Sequence, residues 1–405
     1  MKLGAVAKLD ESRGYHITAI RRLTRIPHVI RNPQIAIDFR WLDSAPIGSG
    51  QFRYSVDLIR GLAELRPQLR FVVLGSKPQP VEEIADVFHD RDWSYRAIAR
   101  MTGKGSLYRE QLRYFQLLRG LDIDLLHSLH TFVPAYPPVP VVETVYDLMY
   151  ELFPEYAAAV KSREYRFHKW SFRHFVARAM AISQTTANDL SRLWRFPAER
   201  IDVVYLGPKL PQTTKNGKQL NSPIILSPYN LEPRKNLLRL LEAAAKLKAS
   251  RVEFRLVLFG RAAVNNERER GFQENLSRMG LESCTELTGQ ISDDALSDLY
   301  GRCAVFVFPS LYEGFGLPVL EAMTAGARVV AHNASAMAEV LGDAGFLTNM
   351  KEASNIAEGI TNAMKDNVRG AKARERAQLF SRERMARETL AVYHKTLRAQ
   401  SDAIS

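Results

Sequence analysis

Phe308-Pro309-Ser310-Leu311-Tyr312-Glu313-Gly314-Phe315-Gly316-Leu317-Pro318-Val319-Leu320-Glu321-Ala322-Met323 decides how this chain is read. The apolar run 303–308 reads as a strand that stops at a Pro-Ser turn. A glycine-spaced loop follows, and Pro318 suits the first turn of a helix, where a missing N–H costs nothing. Gly314 and Gly316 let the backbone come close to a ligand, and a helix N-terminus behind them favours an anion. Strand, loop and helix together read as a diphosphate cradle. A carboxylate flanks it on each side, with Glu313 entering the loop and Glu321 eight residues on, inside the helix. Carboxylates only accept hydrogen bonds, which suits them to gripping sugar hydroxyls.

The rest of the chain supplies the frame for that cradle. Its 405 residues predict two or three domains, and 46% hydrophobic with 25% charged residues is ordinary for a globular protein. Cys284 and Cys303 sit in apolar surroundings and read as free thiols, which favours a reducing compartment. There is no metal-ligand cluster and no run of about 18 apolar residues that would span a bilayer. Arg21, Arg22 and Arg25 interrupt every candidate signal-peptide core, so a cytoplasmic location is expected.

Short apolar runs alternate with helical patterns, which predicts α/β architecture with parallel sheets. Strands are expected near 35–39, 71–74, 125–128, 141–145, 179–183 and 203–205, with helices near 50–66, 105–119, 161–177 and 184–194. A Pro-, Gly- and polar-rich segment at 208–222 reads as a linker. The alternation then restarts: strands at 224–227, 255–259, 284–287 and 304–308, helices at 235–249, 266–279 and 293–302. This divides the chain into a basic extension (1–34), a first Rossmann-like domain (35–207), the linker, and a second such domain (223–381). Ligands of such sheets sit at the carboxyl ends of the strands, where the cradle lies.

The net charge of +12 is clustered. Residues 1–31, 96–119 and 161–178 are rich in Lys and Arg, the second group interleaved with Leu, Tyr and Phe. Basic helices with apolar faces suit anionic membrane surfaces or phosphorylated lipid acceptors as well as plain solvated faces. No nucleic-acid-binding module accompanies them.

The cradle with its two carboxylates closely resembles the donor-site signature of retaining family-4 glycosyltransferases, whose pattern is a Glu, seven residues and a second Glu around Gly-Phe-Gly-Leu-Pro. The resemblance runs from about 35 to 399 and implies a GT-B fold, two doubly wound domains facing a cleft. It also implies that a final helix at 382–399 returns to complete the first domain. Three other segments fit it. In Pro233-Arg234-Lys235-Asn236 the family places a basic pair that meets the donor diphosphate, and two cations beside a helix N-terminus would offset the charge on a departing nucleotide. Thr288-Gly289-Gln290-Ile291 resembles the turn that lines the nucleobase pocket, with Ser292 or Asp293 equally readable as a helix N-cap. Gly48-Ser49-Gly50, with Tyr54 beyond, resembles the glycine loop that faces the donor.

Three positions depart from the family pattern. Ser227-Pro228 stand where some members carry an arginine soon after a glycine, and Ala338 stands where proline precedes Glu-Val. Tyr146-Asp147 replaces a His-Asp pair, and a phenol supplies no near-neutral base, which leaves Asp147 as the ionisable group there. His127 and His130 lie near the same strand ends. Asp122-Ile-Asp124 mimics a metal-binding triplet without supporting context. The resemblance therefore implies a metal-independent hexosyltransferase with no cofactor. Glu313, Arg234, Lys235 and Asp147 would carry catalysis. Gly48, Gly50, Arg234, Lys235, Gly289, Gln290, Ile291, Glu313, Gly314, Phe315, Gly316, Leu317 and Glu321 would hold the nucleotide sugar. GDP-mannose is the favoured donor ahead of a UDP-hexose or dTDP-rhamnose, with a glycan or lipid-linked acceptor at the inner face of a membrane. The alternatives are a nucleotide-sugar 2-epimerase, a group that lacks the twin-glutamate signature, and a non-catalytic sugar or nucleotide binder.

Overall fold

A computed structural model describes residues 32–42, 49–99, 106–130, 134–207, 222–260 and 266–402. The basic segment 1–31, Gly48 and all of the expected linker except Ser222 lie outside those residues. The first half contains β1 (Gln34–Asp38), α1 (Gly50–Leu65), β2 (Arg70–Gly75), β3 (Trp93–Ala97), α2 (Ser106–Gly120), β4 (Leu125–Ser128) and β5 (Val141–Val145). It continues through α3 (Met149–Leu152), α4 (Ala157–Lys161), α5 (Arg163–Phe175), β6 (Val176–Ala181), α6 (Gln184–Trp194) and β7 (Ile201–Val203). The second half runs β8 (Ile224–Pro228), α7 (Leu237–Ala249), β9 (Arg255–Phe259), α8 (Asn266–Arg278), β10 (Thr285–Gly289), α9 (Asp293–Arg302) and β11 (Val305–Phe308). Then come α10 (Leu317–Ala325), β12 (Val329–His332), α11 (Ala336–Leu341), β13 (Phe346–Thr348), α12 (Ala353–Lys365), α13 (Arg369–Ala377) and α14 (Arg382–Asp402).

The strands form two parallel sheets, ordered β3-β2-β1-β4-β5-β6-β7 and β10-β9-β8-β11-β12-β13. Runs such as Val141-Val142-Glu143-Thr144-Val145 are buried at every position because helices cover both faces. The strand order reverses beside β1 and β4 in one sheet and beside β8 and β11 in the other. A crevice opens at such switch points, beyond the carboxyl ends of the strands. The loops after β1, β8 and β11 are the ones that carry the candidate site.

One core cluster runs through both halves, from Ile35 and Phe71 to Phe306, Phe315 and Met337. The far side of each sheet has its own cluster. α14 lies along α1, with Arg382 Nη1 on Glu64 (2.8 Å) and its Nε on Asp57 (3.1 Å). Tyr393 of α14 reaches His127 in β4, 2.6 Å away. Asp124 accepts the Gln34 N–H (2.9 Å), which gives this member of the Asp122-Ile-Asp124 triplet a structural role at the entry to β4.

Candidate active site

Two turns at the switch point of the second sheet are stitched together. The Leu311 N–H donates to the Arg234 carbonyl (2.8 Å), and Asn236 Nδ2 donates to the carbonyls of Pro309 (3.2 Å) and Met350 (2.7 Å). Asn236 takes the left-handed conformation (φ 60°), which asparagine tolerates and which ends the one-turn helix Pro233–Lys235. This places both cations on the first signature glutamate. Lys235 Nζ is 2.5 Å and Arg234 Nη1 3.3 Å from the same Glu313 Oε1, and Ser310 Oγ donates to it at 2.6 Å. Burial alone would raise the Glu313 pKa, but Lys235, Arg234 and Ser310 outweigh it and hold the carboxyl below its ordinary value. Glu232 takes the other side of Arg234, 3.0 Å from Nε. Two cations thus meet two carboxylates, and Glu313 competes directly for charge that a diphosphate would use.

The glycines have steric reasons to be there. A Cβ on Gly314 would lie 2.0 Å from the Tyr146 carbonyl oxygen and 3.1 Å from Asp147 Cβ, so this loop presses against the first half of the chain. Gly316 sits at φ 103°, ψ 58° and turns the chain into α10, with Pro318 in the first turn. Across the crevice, Ser49 caps α1 by accepting the Phe52 N–H (3.4 Å), and Gly50 faces Leu317. Two helix N-termini therefore point at one crevice, a field that favours an anion.

Arg53, one turn into α1, crosses the crevice to Glu321 (2.6 Å), whose other oxygen accepts from Tyr300 (3.2 Å). Glu321 is buried, which pushes its carboxyl above the ordinary value despite both partners. Further contacts join the halves along α6. Glu339 accepts the N–H groups of Gln184 (2.8 Å) and Thr185 (2.9 Å) and the Tyr205 hydroxyl (3.2 Å). Tyr312 donates to Asp189 (2.8 Å). The crevice is closed.

Two family profiles match contiguous stretches: "Glycosyltransferase Family 4" over 48–209 and "Glycosyl transferases group 1" over 210–383. The chain belongs to the family-4 glycosyltransferases. It is 24% identical over 375 residues to the O-antigen chain mannosyltransferase B of Escherichia coli, a match covering 85% of this chain and 96% of that one. It is 30% identical over 229 residues to an MMP alpha-(1->4)-mannosyltransferase of Mycolicibacterium hassiacum, about half (54%) of each chain. Sucrose-phosphate synthase of Thermosynechococcus elongatus shares the GT-B fold at a TM-score of 0.73, with 20% identity over 91% of this chain and all (100%) of that one.

The remaining expected residues of this glycosyltransferase fall into place unevenly. Asp147 lies against Gly314 and accepts the Met149 N–H (3.1 Å); burial pushes its carboxyl up while Arg234 and Lys235 pull it back. Tyr146 turns away from the crevice. Its hydroxyl donates to the Leu129 carbonyl (2.9 Å) and lies 3.4 Å from Ser55 Oγ, so it offers no hydroxyl to a sugar. The Phe315 ring packs in the core beside Tyr205 (6.2 Å) and Phe380 (5.7 Å), and Leu317 is also buried. What this loop offers a ligand is therefore backbone. Gly289 (φ 67°), exposed Gln290 and half-buried Ile291 leave β10, and Ser292 caps α9 through the Ala295 N–H (3.2 Å). Asp293 acts electrostatically on both Arg53 and Glu321, which puts this turn beside the second signature glutamate.

His127 is held between Tyr393 and Thr144 (2.8 Å), and His130 Nε2 is 3.2 Å from Asp38. Both serve the first half's interior. Sequence reasoning missed Arg53, Ser310 and Glu339; a cation one turn beyond the glycine loop was the available signal for Arg53. Among the described residues no three or more of His, Cys, Asp and Glu are grouped to hold a metal ion, and no helix is long and apolar enough to cross a membrane.

Proposed function

We infer that the enzyme transfers a hexose, mannose in the favoured reading, from a nucleoside diphosphate to a glycan or lipid-linked acceptor with retention at the anomeric carbon. The observation that carries this is the Arg234–Lys235 pair seated on Glu313 beside the N-terminus of α10. In the reaction the bond from the anomeric carbon to the diphosphate oxygen breaks, and the acceptor oxygen bonds to the same face. The acceptor proton goes to the departing diphosphate. Lys235, Arg234 and the backbone of the Gly314–Leu317 loop offset the charge that builds on that diphosphate, without a metal. Glu313 stays ionised beside a carbon that becomes cationic. Glu321 and Arg53 frame the nucleoside end, with the Gly289–Ile291 turn next to the base.

The mannose preference is supported by the names of the Escherichia coli and Mycolicibacterium relatives. The acceptor and a working place at the inner face of an anionic membrane are part of the same reading. Nucleotide release from a panel of GDP-, UDP- and dTDP-sugars, with and without chelator, tests it. GDP release from GDP-mannose that a chelator leaves intact is the expected result. Activity abolished by chelator and restored by Mn²⁺ would overturn the metal-free mechanism, and release from another donor only would replace mannose.

A further inference from the structure

The outer faces of α2 and α5 take no part in the crevice. Both helices cover the same side of the first sheet, with Tyr114 and Leu118 of α2 and Phe172 of α5 in one core cluster. On α5, Arg163, Arg166, Trp170 and Arg173 recur at spacings of three, four and three, so they share one outward stripe, and all four are exposed. Trp170, 40% exposed, lies against Phe175 (5.3 Å between rings) and Phe167 (5.6 Å). Tyr136, 58% exposed, packs on the same Phe175 at 4.6 Å.

The loop that carries Tyr136 is tied to α2, because the Ala135 N–H donates to Gln111 Oε1 (2.6 Å). Next to Gln111, Leu112 is 62% exposed and shares its outward face with Arg109 and Arg113. The two helices and the loop form one surface on which aromatic and aliphatic groups project among guanidinium groups. Its acidic residues on these helices are Glu164 and Glu110, and Glu110 is buried on Arg40 (2.7 Å).

A solvated face has no need of a tryptophan, a tyrosine and a leucine exposed among its arginines. A bilayer surface rewards that combination: tryptophan and tyrosine settle at headgroup level, arginine stems lie along the apolar boundary, and the cations meet a negative surface potential. We propose that the α2–α5 face is a docking surface for a bilayer rich in anionic phospholipid. Both helices run antiparallel to the strands, so Arg109 and Arg163 lie at the carboxyl end of the sheet, the end at which the crevice opens. Docking on this face brings that mouth to the membrane. The surface gives a physical basis to the lipid-linked acceptor of the proposed function, and it rests on that reading only for what it would deliver.

The test is sedimentation of the full-length protein with vesicles of phosphatidylcholine alone or with about a third phosphatidylglycerol. The surface requires binding to the anionic vesicles only, and release by salt. Trp170→Ala should lower the partition about tenfold. Arg166→Glu combined with Arg173→Glu removes four charge units and, at roughly fivefold per unit, should lower it at least about 100-fold. The same change at exposed Lys351 and Lys372, on the second half, should have less than about a tenth of that effect. Thermal unfolding matched to the parent separates docking from misfolding. As a second reading, brominated phosphatidylcholine incorporated in the anionic vesicles should quench tryptophan emission in the parent far more than in Trp170→Phe. Equal binding to neutral vesicles would overturn the proposal. So would anionic binding untouched by the α5 variants, which would place the contact elsewhere, or binding to RNA with none to vesicles. Nucleotide release from a soluble donor reports on the transferase reading separately, and Trp170→Ala should leave it unchanged.

Discussion

Replacing Glu313 by Gln should separate turnover from nucleotide affinity, and in opposite directions. In the closed crevice Glu313 Oε1 takes the Lys235 ammonium at 2.5 Å and the Arg234 guanidinium at 3.3 Å. A phosphate oxygen binding the far side of that ammonium would lie about 5 Å from the carboxylate. Two unit charges at that distance repel by about 3 kcal/mol at an effective dielectric near 20. Partial exposure and relaxation reduce this, so Glu313→Gln should tighten nucleoside diphosphate binding by about 1–3 kcal/mol, roughly 5- to 150-fold. The same substitution removes a fixed negative charge beside a carbon that becomes cationic, and kcat should fall by about 2–4 kcal/mol in transition-state stabilisation. Calorimetric titration with the nucleoside diphosphate and steady-state kinetics with the nucleotide sugar measure the two effects. Unchanged or weaker nucleotide binding in the variant would refute the charge competition, and an unchanged kcat would remove Glu313 from the chemistry.

Arg53 and Glu321 should behave as a coupled pair: a double-mutant cycle of Arg53→Ala and Glu321→Gln on nucleoside diphosphate affinity should give an interaction energy of about 1–3 kcal/mol, and additivity within about 0.5 kcal/mol would show that the contact across the crevice is idle. Gly314→Ala should force the loop off the Tyr146 carbonyl, since its Cβ would come within 2.0 Å; small-angle scattering should show a more open molecule and activity should drop at least tenfold with unfolding temperature nearly unchanged, whereas wild-type activity would deny that close approach a role. Asp38 is buried beneath Arg40, also buried, and accepts from its Nη2 at 2.9 Å. Asp38→Asn leaves that guanidinium short of charge and should cost about 3–5 kcal/mol in denaturant unfolding, and a loss below 1 kcal/mol would contradict this. Burial holds His127 and His168 down to about 3, so folding favours their neutral forms; that stability is present above about 6.5 and is lost as pH falls toward 3. Unfolding free energy should drop by about 2 kcal/mol per histidine from pH 7 to 5, and His127→Gln should show the shallower dependence.

What the sequence made legible was local. The signature loop, the strand Arg255–Phe259 and the helix Asp293–Arg302 are set by glycine, proline and apolar periodicity over a few residues, and they lie where those signals put them. Other elements blurred for physical reasons. β6 starts at Val176, directly after α5 ends at Phe175, so no turn residue marks the change and the strand was expected three residues late. β3 (Trp93–Ala97) went unassigned because it is an edge strand with mostly exposed side chains. β12 and β13 are only four and three residues long. The candidate site divides the same way. Glu313, Arg234 and Lys235 announce themselves by local pattern. The partners Arg53–Glu321 and Glu339–Gln184, and the inward turn of Tyr146, depend on how two sheets far apart in sequence come to face each other.

Glu339 gives that facing a measurable meaning. The Ser183 hydroxyl accepts the Thr186 N–H at the start of α6 (3.0 Å); the two amides before it belong to a carboxylate on the opposite half. The helix is therefore complete only while the enzyme is shut. Any separation of the halves would strip the first turn of α6 of two bonds and leave it to water, so such a movement would be written into the solvent exchange of two amide protons. Those of Gln184 and Thr185 form a built-in gauge of how often this transferase gapes.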